Sequence, residues 1–110
     1  MRARDAAKFL RAFGDGTRLR IVYLMSRSAL PVRTLARVLR CPGKRVSRHL
    51  QYLAARGVVE SETRGRQIIY RLCPAVDRLH ESVLRSVQSC ARLVDEAPAD
   101  ASRLGAEQRD

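Results

Sequence analysis

Lys44, Arg45, Ser47 and Arg48, with His49 beside them, put three permanent cations, a hydroxyl and an imidazole on one short segment. Side chains of these types donate hydrogen bonds to phosphate oxygens and to the O6 and N7 edge of guanine. A second cationic point lies where Arg64 and Arg66 flank Gly65. Neither group resembles a catalytic set. The chain has only two histidines, no glycine-rich phosphate loop and no nucleophile with a base and an orienting group, so the expectation is a protein that is not an enzyme and needs no cofactor.

The charge balance points the same way. Twenty-two Lys plus Arg stand against 11 Asp plus Glu, a formal charge of +11, and a field of this sign favours a polyanionic partner. Placement matters more than the total. No acidic residue occurs between Asp15 and Glu60, whereas ten basic residues from Arg18 to Arg56 do. Nearly all the cations are Arg, and a codon bias could explain Arg in place of Lys but not the missing acids. No stretch approaches the roughly 18–20 apolar residues that cross a bilayer, and the N-terminus lacks a secretory apolar run, so a cytoplasmic protein without a membrane partner is expected. Cys41, Cys73 and Cys90 are odd in number and widely spaced. That suits reduced thiols better than a disulfide framework or a zinc knuckle.

The elements that must carry these cations follow from periodicity. Ala6, Phe9, Leu10 and Phe13 predict an amphipathic helix over about 3–13 that stops at Gly14. Asp15 can cap a second helix bearing Leu19, Ile21, Val22, Leu24 and Met25, followed by a loop over 26–31. Val32, Leu35, Ala36 and Leu39 predict a short third helix ended by Cys41-Pro42-Gly43. Val46, Leu50 and Leu53 then stripe a basic helix from Gly43 to Arg56, so the two together read as helix-turn-helix. Val58-Val59 and Gln67 to Leu72 read as strands of a hairpin, or wing, around the polar run 60–66, with Ile68, Tyr70 and Leu72 turned to the body. Pro74 suits the start of a last helix, whose stripe from Val76 to Val94 exceeds what one small body covers. A homodimer through the terminal helices is the expectation. The fold class is mainly α with a small β-hairpin: about five helices and a two-stranded wing over residues 1–95, then a flexible acidic and Ala-rich tail at 96–110.

Three runs resemble the ArsR-type (ArsR/SmtB) winged-helix regulators of bacteria: Phe13-Gly14-Asp15-Gly16-Thr17-Arg18-Leu19-Arg20-Ile21, Val46-Ser47-Arg48-His49-Leu50-Gln51-Tyr52-Leu53, and Gly65-Arg66 with Tyr70-Arg71-Leu72. They stand in family order and cover roughly residues 5–95, with Gly16 where the family usually has Pro. The resemblance implies a homodimer that occupies a palindromic operator on double-stranded DNA, represses transcription and is released by an inducer. It implies DNA contacts by Lys44, Arg45, Ser47, Arg48 and His49 and by the wing residues Arg64 and Arg66. His49 could instead pack against the third helix.

The family's usual metal sites are not matched. The stretch where a Cys-x-Cys pair would begin the third helix reads Leu30-Pro31-Val32-Arg33-Thr34-Leu35. The second site, at the last helix, leaves at most Asp77, His80 and Cys90, short of the about four donors that zinc needs. Cys41, Cys73 and Cys90 stay open as weak thiol-sensing candidates or as incidental small hydrophobes. Alternatives are a thiol-based redox or metalloid sensor of the same fold and a sequence-tolerant nucleic-acid binder, the latter at odds with an aromatic content of 5%.

Overall fold

The computed structural model describes residues 1–109. Helix α1 (Ala3–Arg11) is followed by α2 (Gly16–Leu24), a two-residue strand β1 (Leu30–Pro31), α3 (Val32–Leu39) and α4 (Gly43–Ala55). Strands β2 (Val59–Arg64) and β3 (Gln67–Leu72) come next, and α5 (Arg78–Ala91) and α6 (Ala97–Gln108) close the chain. The architecture is mainly helical, with six helices and a three-stranded antiparallel sheet in the order β1-β3-β2 among the described residues. No helix among the described residues is long and apolar enough to cross a membrane.

The apolar periodicity of the first four helices becomes the core. Phe9, Ile21, Val22, Leu35, Val38, Val46, Leu50 and Leu53 are all buried, and each such side chain contributes about 1.5–3 kcal/mol by leaving water. Asp15 caps α2 as expected, its carboxylate accepting the Arg18 amide at 3.0 Å. A Cβ at Gly16 would meet open space, so glycine there is no steric requirement and the cap holds the helix start.

Helices α3 and α4 end in the same backbone motif with different residues. At the end of α4 the Val58 amide returns to the Leu53 carbonyl and Gly57 to Ala54, with Gly57 at φ 78°. At the end of α3 Cys41 returns to Ala36 and Arg40 to Arg37, but the left-handed position is Arg40, at φ 52°. Glycine takes that conformation without penalty, whereas a Cβ costs roughly 1–2 kcal/mol.

Four expectations need correction. The polar run after Val59 is strand as far as Arg64, because Arg71 reaches across the hairpin to Glu60 and Glu62, and only Gly65-Arg66 turn. Within β3 the register sets Leu72 opposite Val59 and Tyr70 opposite Ser61, packed on the core, but Ile68 lies opposite Thr63 beyond the body and is 52% exposed. Ile69, on the other face and paired with Pro31 of β1, is the buried one. The last long helix starts at Arg78 and not near Pro74, since the Asp77 carboxylate accepts the His80 amide and caps it, leaving Val76 outside and exposed.

The fourth correction concerns the tail. Residues Ala97–Gln108 are a helix packed on α2 and α3, while Asp110 lies outside the described residues. Asp100 anchors it. This fully buried carboxylate accepts two hydrogen bonds from Arg20 of α2, both 2.8 Å, and one from Arg103 at 2.7 Å. The pairing holds the Arg20 guanidinium above its ordinary range. Arg103 also donates to the Val38 carbonyl of α3 at 2.7 Å, and Arg37 of α3 meets Glu107 at 3.3 Å.

Relief of the strain at the α3 end is measurable. Arg40→Gly is expected to raise the unfolding free energy in urea by about 0.5–1 kcal/mol, the left-handed penalty less the extra backbone entropy of glycine. A loss of stability in that titration would show that the Arg40 side chain contributes more than its backbone costs.

Candidate nucleic-acid interface

The basic face is built by α4. Val46, Leu50 and Leu53 are each fully buried and fix the roll of the helix, so the intervening positions are forced outward. Lys44, Arg45 and Arg48 are exposed and Ser47 is half-buried. Among the described residues none of the three cations has a hydrogen-bonded or ion-paired partner, and the helix has no acidic residue in its first turn. Pro42 caps it without a side-chain acceptor. Lys44 and Arg45 therefore crowd the positive end of a helix dipole, an arrangement that costs about 0.3–1 kcal/mol per charge until an anion arrives. The same end, with its orphan amides, suits a phosphate.

His49 is set apart from these. It is half-buried, and Arg18 Nη1 of α2 stands 3.4 Å from its Nδ1. Its neighbour is thus the second helix, where the sequence had suggested the third. Arg18 also donates to the Ala12 carbonyl at 2.7 Å, closing the end of α1, and lies over the Tyr52 ring at 4.2 Å. Arg56 lies 3.4 Å from the same ring. This cluster locks the rear of α4 to α1 and α2, and sequence reading missed it because side-chain stacking between α2 and α4 has no periodic signature.

In the wing, Arg64 is committed to Glu62 at 2.6 Å, and Arg71 to Glu60 and Glu62 at 3.0 and 2.6 Å. Hydrogen bonds first from Arg71 and then from Arg64 hold the Glu62 carboxyl below its usual range. Arg66, at the turn, is exposed and has no such partner among the described residues. Gly65 beside it adopts φ 58°, the conformation that a two-residue hairpin loop requires at its first position.

The residues weighed as metal or thiol sites are dispersed. Cys41 and Cys73 are half-buried and Cys90 is exposed. Burial, reinforced by Glu60, pushes the Cys73 thiol up, away from the reactive thiolate. His80 is buried with its ring 4.6 Å from Phe9, and Asp77 caps α5 and binds the N-terminal amine at 3.0 Å. No group of three or more His, Cys, Asp or Glu residues is gathered for a metal among the described residues.

A short helix, a tight turn, a basic second helix and a β-hairpin beside it define a winged helix-turn-helix protein. Residues 15–61 match the model of a family described as bacterial regulatory protein, arsR family. The chain is 40% identical over 67 residues to the HTH-type transcriptional repressor SmtB of Mycobacterium tuberculosis, in two strains, covering 61% of this chain and 50% of the relative. It thus spans about half the length of the curated relatives it matches. Among solved structures it is similar to the homodimeric winged helix-turn-helix DNA-binding domain of Mb0332 from Mycobacterium bovis, a possible ArsR-family transcriptional regulator, with TM-score 0.68 and 26% identity over 84% of this chain and 81% of that one. A possible transcriptional regulator for arsenical resistance gives TM-score 0.60 and 28% identity over 91% and 95%. The chain carries an ArsR-family helix-turn-helix domain.

The Asp77 cap makes a pH signature. The His80 amide, followed by the N-terminal amine, lowers the Asp77 carboxyl below its usual range, so its stabilisation is present above the ordinary aspartate pKa and is lost as pH falls through the lowered value. Urea midpoints of the wild type are expected to fall below about pH 4, and Asp77→Ala should flatten part of that fall while Asp77→Asn keeps the neutral-pH midpoint nearer to wild type. Identical acid limbs in wild type and Asp77→Ala would remove the cap from the account.

Proposed function

We propose that this chain is the DNA-binding and dimerising module of a transcriptional regulator, acting as a repressor that occupies a palindromic operator as a homodimer and leaves it when an inducer binds. The observation that supports it best is the exposed, unpaired set Lys44, Arg45 and Arg48 on a helix whose apolar side is fully buried. Ser47 sits among them, half-buried on the same helix. In this reading α4 enters the major groove and reads bases, Arg66 follows the neighbouring phosphates, and Arg64 contributes less because Glu62 already holds it. His49 orients α4 through Arg18 more than it reads sequence. The cytoplasm is the compartment that such a function needs.

The apolar surface suited to a dimer seam runs along α5 and just past its end. Leu79, Val83 and Cys90 share one face by helical spacing, and Leu93, in the turn just past the helix, is 69% exposed. Leu10 of α1, 52% exposed, supplies a second apolar point. The relative whose structure is a homodimer supports the same assembly for this chain. Leu93→Glu should convert dimer to monomer in sedimentation at micromolar concentration without altering the far-ultraviolet circular dichroism. A variant that still sediments as a dimer would place the seam elsewhere.

Selection of operator fragments from genomic DNA, followed by titration at several salt concentrations, tests the main reading. A regulator should hold its operator about a thousandfold or more tighter than random DNA, whereas a sequence-tolerant binder shows no such ratio. Arg48→Ala is expected to lose about 1–3 kcal/mol on the operator and less on random DNA. Arg66→Ala should weaken both alike and lower the salt slope by about one. Equal losses on both DNAs for Arg48→Ala would deny it base readout.

A further inference from the structure

A cleft of about 750 Å³ lies between the end of α2, the last turns of α5 and the side of α6 that carries Ala101, Leu104, Gly105 and Gln108. Its size is that of a small-molecule site. Arg27 and Arg92 stand at its walls with Ser28 and Ser89, and Leu24 and Leu104 give it an apolar side. No acidic residue lines it, and neither guanidinium is paired among the described residues. Two unpaired guanidiniums beside apolar surface match an organic anion with an apolar body, whose carboxylate a guanidinium can take in a fork of two hydrogen bonds.

The cleft shares α6 with the helix-turn-helix. Ala101, Leu104 and Gly105 line the cleft, while Asp100 and Arg103 of the same helix bind Arg20 and the Val38 carbonyl. Val38 lies two residues before the turn that sets α4. A ligand that displaces α6 therefore acts on α3 at the point where the basic helix is hung. The cleft uses Gln88 and Ser89 of α5 and Arg92 at its end; Gln88 lies on the far side of the helix from Leu79 and Val83, while Ser89 stands one turn before Leu93.

We propose that this cleft is the effector site of the chain, that it takes an aryl or alkyl carboxylate, and that occupancy lowers DNA affinity through α6. The proposal rests on the operator-binding reading only for its last clause. The first test is calorimetry without DNA, using 1-naphthylacetate and its uncharged isostere 1-naphthylacetamide as probes. The carboxylate should bind at least about tenfold tighter than the amide, and an Arg27→Gln, Arg92→Gln double variant should erase that preference. A Cβ at Gly105 would meet no atom within 4 Å, so a side chain can start there without a clash, and Gly105→Leu, which puts bulk into the cleft, should abolish binding. No binding of the carboxylate by wild type, or binding that the three substitutions leave unchanged, overturns the site.

The second test is operator titration with and without 1-naphthylacetate. Affinity should fall about tenfold in wild type, a usual size for coupled sites. Arg103→Ala, outside the cleft, should keep carboxylate binding and lose the effect on DNA. Carboxylate binding in the correct variants with no change in operator affinity overturns the coupling. If wild type binds no operator at all, the regulator reading fails and the calorimetric result stands by itself.

Discussion

The arrangement of the molecule depends on one carboxylate that water does not reach. Asp100 accepts hydrogen bonds from Arg20 and Arg103, and Arg103 passes the connection to the Val38 carbonyl, so α2, α3 and α6 meet at a single buried charge. Burying a carboxylate costs several kcal/mol, and attraction to a partner repays that only where the geometry is good and the lone pairs are filled. Both conditions hold, with two 2.8 Å bonds from one guanidinium and a third from another. Net stabilisation from such a site is small. Its effect is on uniqueness, because any other seating of α6 leaves an unpaired charge in the interior.

That constraint explains how a strongly cationic surface is held in one shape. The acids that do exist near it are already engaged: Asp15 caps α2, Glu60 and Glu62 are bound by Arg71, and Asp100 is buried. None is left to fold back on Lys44, Arg45 or Arg48. The basic helix is kept in place by Val46, Leu50 and Leu53 beneath it and by Arg18 and Arg56 against Tyr52 behind it, so its exposed cations are not what holds it. They are free to serve an external anion.

Much of this is legible in the sequence, and the limits are physical. The helices α1 to α4 follow from apolar spacing with clear stops at Gly14, Pro42 and Gly57, and the basic face follows once the stripe Val46, Leu50, Leu53 is fixed. Helix α6 does not, because Ala97–Gln108 has no apolar stripe and is held by a buried ion pair, which resembles a solvated tail when only composition is seen. Strand β1 has two residues and exists through pairing with β3, so local periodicity cannot show it. The polar stretch Glu60 to Arg64 similarly becomes strand through cross-strand pairs with Arg71. Left-handed Arg40 contradicts residue preference and is forced by the return of the Cys41 amide to Ala36.

The last long helix shows how one apolar stripe divides its duties. Successive residues turn by about 100°, so His80, Val87 and Ala91 share a face, and that face is the one buried or packed on the body. Leu79, Val83 and Cys90 fall roughly a quarter turn away, with Val83 still packed on the core, and Cys90 there and Leu93 just past the helix are exposed. Gln88 and Arg92 fall on the opposite side, along the cleft with α6. The sequence shows only that the stripe is too wide for one partner. Once the core side is assigned, the excess separates into an apolar edge and a polar wall, which adjoin where Ser89 stands one turn before Leu93.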